Sequence, residues 1–136
     1  PAMTLMMQKE AAERFTARPG DRVYGPLTVL AGYYYEVTKL MELSRDMYYP
    51  QPDVDSVVLK LTAKGAEKLP ELEWLLNRAF AMRRKTLSNN LRAAGISDER
   101  LKSLLGACGI EGNIRAEKLT VAQFANIARE IEAHGK

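Results

Sequence analysis

The sequence predicts a mixed fold: an α/β segment over residues 1–64, followed by an all-helical segment over residues 65–136. Three patterns carry that expectation. Met3-Thr4-Leu5-Met6-Met7 is a nearly continuous apolar run; Val57, Leu59 and Leu61 alternate with polar neighbours; and helical i, i+3, i+4 spacing takes over after Lys64-Gly65. A short uncharged apolar run reads as a strand buried on both faces, as in the interior of an α/β sheet. Strict alternation reads as a strand with one buried face. The stretch Thr62 to Pro70 reads as the linker between the two parts.

After the first run the chain turns polar at Gln8-Lys9-Glu10 and enters a helix-like stretch through Phe15. Arg18-Pro19-Gly20-Asp21 is a turn signal, because proline presets φ and glycine accepts left-handed backbone. A second helix is expected from about Gly25 to Tyr34, with Pro26 in its first turn. Strands are expected at Glu36 to Leu43 and Val54 to Leu61, separated by a loop at Pro50-Gln51-Pro52. Three strands and two helices are too few for a doubly wound domain, so residues 1–64 read either as a small self-sufficient α+β module or as part of a larger domain.

In the second part Leu72, Leu75, Leu76, Ala79 and Phe80 share one helical face, and Leu87 and Leu91 continue it, predicting one long helix. Ser97 is placed to cap a second helix lined by Leu101, Leu104, Leu105 and Cys108, with Gly109 ending it. Thr120-Val121-Ala122-Gln123 has capping-box form and opens a third, carrying Phe124, Ile127 and Ile131.

Composition excludes several classes. Hydrophobic residues make up 46% and charged residues 27%, a globular balance, and no apolar run approaches the roughly 20 residues of a membrane span. A single cysteine and no Cys/His cluster leave no zinc site or internal disulfide and point to a reducing, cytoplasmic setting. The net charge of +3 is unevenly placed. Residues 1–64 carry 8 basic and 8 acidic side chains, whereas residues 65–136 carry 12 and 9. Residues 74–96 hold Arg78, Arg83, Arg84, Lys85 and Arg92 with no acid among them. A concentrated positive stripe suits a phosphate-bearing partner, or is simply a solvated helix face.

On the expected long helix Arg78, Lys85 and Arg92 fall seven residues apart, on one outward stripe. Arg84 lies closer to the Phe80 face and is expected to be half-buried, with Arg83 intermediate. In Tyr48-Tyr49-Pro50-Gln51-Pro52 the prolines restrict the backbone beside two aromatics. An aromatic held there could stack on a base, a contact of ~1–3 kcal/mol, or simply pack the loop. Tyr33-Tyr34-Tyr35 reads as core and interface filler, Cys108 as core, and His134 as a solvated tail residue. No nucleophile–base pair and no Gly-rich phosphate loop is present in the sequence.

Five collinear motifs resemble one family. The run from Met3 to Arg14 resembles the strand and helix that follow the catalytic motif of the KsgA/RsmA-type rRNA adenine N6-dimethyltransferases. Pro19-Gly20 with Tyr24-Gly25-Pro26-Leu27-Thr28-Val29 resembles that family's P-G…Y-G-x-L-S-V segment. Tyr48 to Ser56 is similar to its F-x-P-x-P-x-V-x-S motif, Phe80 to Leu87 to its F-x-x-R-R-K-T-L motif, and Arg115-Ala116-Glu117 to its R-A-E segment.

The resemblance implies that residues 1–64 are the C-terminal part of a Rossmann-like methyltransferase sheet, and residues 65–136 a helical rRNA- and ribosome-docking domain. It implies an S-adenosylmethionine-dependent enzyme that dimethylates N6 of two adjacent adenosines near the 3′ end of 16S rRNA in the pre-30S particle. Tyr48 takes the place of the phenylalanine thought to stack on the target base, and Arg83, Arg84 and Lys85 match the basic motif near rRNA phosphates. The family's donor-binding loop, ribose-binding acid and N-L-P-Y motif would precede Met3. The chain alone is therefore expected to bind no donor and to be inactive, and its uncovered sheet to favour self-association. Asp53 stands where a lysine is common, removing a cation beside the expected base pocket. The alternative is a noncatalytic RNA- or ribosome-binding module acting through the basic helix.

Overall fold

The structure, a computed structural model, describes all 136 residues. Strand β1 (Ala2–Gln8) leads directly into helix α1 (Lys9–Thr16), and helix α2 (Pro26–Tyr34) leads directly into β2 (Tyr35–Leu43). A 3₁₀ turn at Arg45–Met47 opens the loop to β3 (Ser56–Ala63). Helices α3 (Pro70–Ala79), α4 (Leu87–Ala93), α5 (Asp98–Ala107) and α6 (Val121–His134) follow, with a second 3₁₀ turn at Ala116–Lys118 before α6.

The strand order is β1-β3-β2, and β3 runs antiparallel to both neighbours, so β1 and β2 are parallel to each other. The expected alternation in β3 holds: Val57, Leu59 and Leu61 are buried beneath α1 with Ala12. Met6, Val58 and Met41 meet in register on the opposite face, which no helix covers. β1 corrects the expectation of a strand buried on both faces. It is an edge strand paired only to β3, and Met3, Leu5 and Met6 are exposed. Its apolar run signals burial, but within these residues only α1 packs on that end of the sheet.

The main core lies elsewhere. Leu72, Leu75, Leu76, Leu87, Leu91, Leu104, Phe124 and Ile127 are fully buried together, and Tyr24, Val29 and Tyr33 join them from the first half of the chain. Helix α2 carries no charge and packs against α3 and α6 as well as β2. The core thus crosses the expected linker.

The single long helix expected over Leu72 to Leu91 is two helices. The chain leaves helical geometry at Phe80 (φ −97°, ψ 5°) and re-enters at Thr86, whose hydroxyl accepts from Asn89 N at 3.1 Å. Buried Asn90 holds the intervening backbone, accepting from Met82 N at 3.1 Å and donating to Met82 O at 3.0 Å. Both segments still place their leucines in one core, which is why the apolar periodicity runs through the break.

Ser97 and Thr120 cap α5 and α6 as expected, accepting from Arg100 N and Gln123 N at 3.2 and 3.1 Å. Gly109 ends α5 at φ +68°, a left-handed conformation that glycine adopts without strain. One expectation shifts: Cys108 is half-buried at the end of α5, packed against the core, where burial raises its thiol pKa. His134 is exposed, as expected, and sits in the last turn of α6, 3.6 Å from Glu130.

Candidate nucleic-acid interface

The break between α3 and α4 reorganises the basic residues. Arg78 stays on α3 with its guanidinium 6.0 Å from the Trp74 ring. Arg92 sits on α4, paired with Asp98 and donating to Asn89 Oδ1 at 2.8 Å. Lys85 lies on the connector between them. The expected single stripe of Arg78, Lys85 and Arg92 therefore does not form, because no continuous helix joins the three. Arg84, expected to be half-buried, is exposed for the same reason.

Arg83 is held from three sides. Its NH2 donates to Arg22 O at 3.2 Å and lies 3.4 Å from Glu117 Oε2, and its guanidinium stands 5.4 Å from the Phe80 ring. The same neighbourhood is closed by Tyr24, whose hydroxyl donates to Leu119 O at 2.6 Å, and by Gly20 N, which donates to Glu117 O at 2.6 Å. Burial raises the Tyr24 phenol to about 12. Three segments that lie far apart in sequence, one around Arg22 and Tyr24, one around Phe80 and one around Glu117 and Leu119, thus meet at one guanidinium. Arg84 and Lys85, next to it in sequence, are exposed and enter no ion pair. Two exposed, unpaired cations in sequence leave a local positive surface.

A cleft of about 830 Å³ opens beside Arg83, lined by Glu10, Glu13 and Arg14 of α1 and by Asp21 and Arg22. Helix α1 continues to the other candidate element, because Lys9 N donates to Asp55 O at 2.9 Å at the end of the β2–β3 loop. That loop carries Tyr48, which is exposed and places its hydroxyl 3.6 Å from Met6 Sδ, and Tyr49, which is fully exposed. An eight-residue helix spans about 12 Å, so α1 links the aromatic loop to the cleft beside Arg83.

Sequence reasoning missed the clamp at the base of the loop. Arg45 N and Nε donate to Asp55 Oδ1 at 2.9 and 3.3 Å, and Arg45 NH1 donates to Asp53 O at 2.8 Å. The Arg45 backbone N–H, then its side chain, holds the Asp55 carboxyl below its ordinary pKa. Gln51 Nε2 adds a bond to Asp46 Oδ1 at 3.0 Å. The available signal was Arg45 on one side of the Pro-x-Pro turn with Asp53 and Asp55 on the other. The Tyr33-Tyr34-Tyr35 run packs as expected: Tyr33 is buried and donates to Glu67 O at 2.9 Å, and Tyr34 Oη accepts from Leu69 N at 2.9 Å. No group of three His, Cys, Asp or Glu side chains is placed to hold a metal ion, and no helix is long and apolar enough to cross a membrane.

Comparison with known proteins bears on this arrangement. Ribosomal RNA small subunit methyltransferase A of Lactobacillus helveticus is 40% identical over 138 residues, covering 97% of this chain and 46% of that protein. A dimethyladenosine transferase from Plasmodium falciparum superposes with a TM-score of 0.82 at 26% identity, over 98% of this chain and 58% of that one. The 23S rRNA methyltransferase ErmE shares the fold, with a TM-score of 0.65 at 22% identity over 96% of this chain and 55% of that one. The chain thus spans about half the length of the curated relatives it matches. The family profile described as "Ribosomal RNA adenine dimethylase" matches residues 1–133, and the chain belongs to that family.

Proposed function

We propose that this chain is the RNA-docking and base-receiving part of an S-adenosylmethionine-dependent enzyme that dimethylates N6 of two adjacent adenosines near the 3′ end of 16S rRNA in the pre-30S particle. The observation that carries the reading is the family match over residues 1–133. The geometry supports a division of roles. Arg83 fixes the connector, Arg84 and Lys85 meet rRNA phosphates, and Tyr48 offers its ring to the target adenine once that base has left its stack. Arg78 and Arg92, engaged with Trp74 and Asp98, contribute less to RNA binding.

The donor-binding residues lie outside this chain in the reading. The cleft beside Arg83 carries six charged side chains, Glu10, Glu13, Arg14, Asp21, Arg22 and Arg83, among its lining residues, more charge than a pocket for an adenine ring ordinarily holds. The chain by itself binds no S-adenosylmethionine and transfers no methyl group. Calorimetric titration tests this: no heat of donor binding is expected, and stoichiometric binding would overturn that part of the reading. The RNA part is tested by binding a small-subunit rRNA fragment, where Arg84→Ala with Lys85→Ala weakens affinity and wild-type affinity would contradict it. The uncovered face and free edge of β1 favour association with a second copy. Light scattering tests that: dimers or larger species are expected, and a clean monomer at high concentration would count against it.

A further inference from the structure

The loop from Ser44 to Asp55 joins β2 to β3 and carries only one short 3₁₀ turn. Loops of about twelve residues with little regular structure are ordinarily mobile. Arg45 closes this one at its base, with two bonds to Asp55 Oδ1 and one to Asp53 O. Asp55 in turn is tied to α1 through Lys9 N. Everything between those two residues, Tyr48 included, therefore projects from a closed base anchored to α1. Tyr48 is further steadied by its hydroxyl on Met6 Sδ, at 3.6 Å.

We infer that Arg45 and Asp55 are positioning residues for base capture: their ion pair holds the Tyr48 ring in the pose in which it stacks on the flipped adenine. The inference rests on the base-stacking reading given above. A ring already held in place loses less conformational entropy on stacking than one on an open loop, so removing the clamp weakens stacking without touching the phosphate contacts.

The test uses the 136-residue chain and a small-subunit rRNA fragment with 2-aminopurine at one of the two adjacent adenosines. Fluorescence quenching at saturating protein reports stacking, and hydrogen exchange of the loop amides reports loop order. Arg45→Met and Asp55→Asn are each expected to reduce quenching by about threefold, while the dissociation constant moves by less than about twofold. Arg45→Lys restores part of the quenching. In a Tyr48→Ala background, Arg45→Met changes nothing further, because the clamp acts through that ring. Faster loop exchange with wild-type quenching would overturn the inference and leave base stacking intact. Wild-type quenching in Tyr48→Ala itself would overturn the base-stacking reading, and the inference with it.

Discussion

The helical region and the sheet region solve the burial problem differently. Around α3 to α6 lies a core of 23 buried residues, and it recruits α2 from the first half. The sheet has three buried residues, Val57, Leu59 and Leu61, packed with Ala12 of α1, and within these residues its other face and its β1 edge are uncovered. The connector bearing Arg84 and Lys85 joins two helices of that core, α3 and α4. The loop that carries Tyr48 projects from the sheet region.

The contrast is sharpest in the two cores. Phe124→Ala empties a fully buried site in the larger one and is expected to cost about 3–5 kcal/mol. Leu59→Ala, equally buried but in the four-residue cluster, removes a smaller side chain from a smaller core, so about 2 kcal/mol is expected. Denaturant unfolding followed by helical circular dichroism measures both. Equal losses would contradict this difference between the two cores.

Tyr24→Phe removes the buried bond to Leu119 O, at a cost of about 1 kcal/mol. The phenol pKa is raised on folding, to about 12. Its contribution is therefore complete below the unfolded value near 10 and is lost as pH rises toward 12. The wild-type unfolding midpoint should fall through that window, and Tyr24→Phe should lack that part of the fall. For Asp55 the sign is opposite: its carboxyl pKa is lowered by Arg45, so loop protection in hydrogen exchange should persist at neutral pH and vanish as pH falls through the depressed value.

Arg83→Met tests whether the fixed guanidinium belongs to the scaffold. Its ion pair is partly exposed, so about 1 kcal/mol or less of stability should be lost, with little change in RNA affinity. A large affinity loss with unchanged stability would move Arg83 to the RNA-facing group.

Much of this organisation was legible in the sequence. Alternation in β3 and the caps at Ser97 and Thr120 translated directly into structure, because each rests on local geometry. The break at residues 80–86 did not, since Leu76, Phe80, Leu87 and Leu91 enter the same core whether or not the helix is continuous. Thr86 followed by Asn89, the cap that starts α4, was the unused signal. β1 misled in the other direction: its apolar run reports a tendency to be covered, and α1 alone covers little of it. The roles of Arg83 and Arg45 depend on partners 34 and 10 residues away, Glu117 and Asp55, which spacing along a chain does not reveal.

The salt dependence of RNA binding tests the central division most directly. With log affinity plotted against log salt concentration, Arg84→Ala with Lys85→Ala should flatten the slope by about 1.4–1.8 units, the value for two lost phosphate contacts. Arg83→Met should leave it nearly unchanged. A wild-type slope in the double variant, or a larger change from Arg83→Met, would contradict the account.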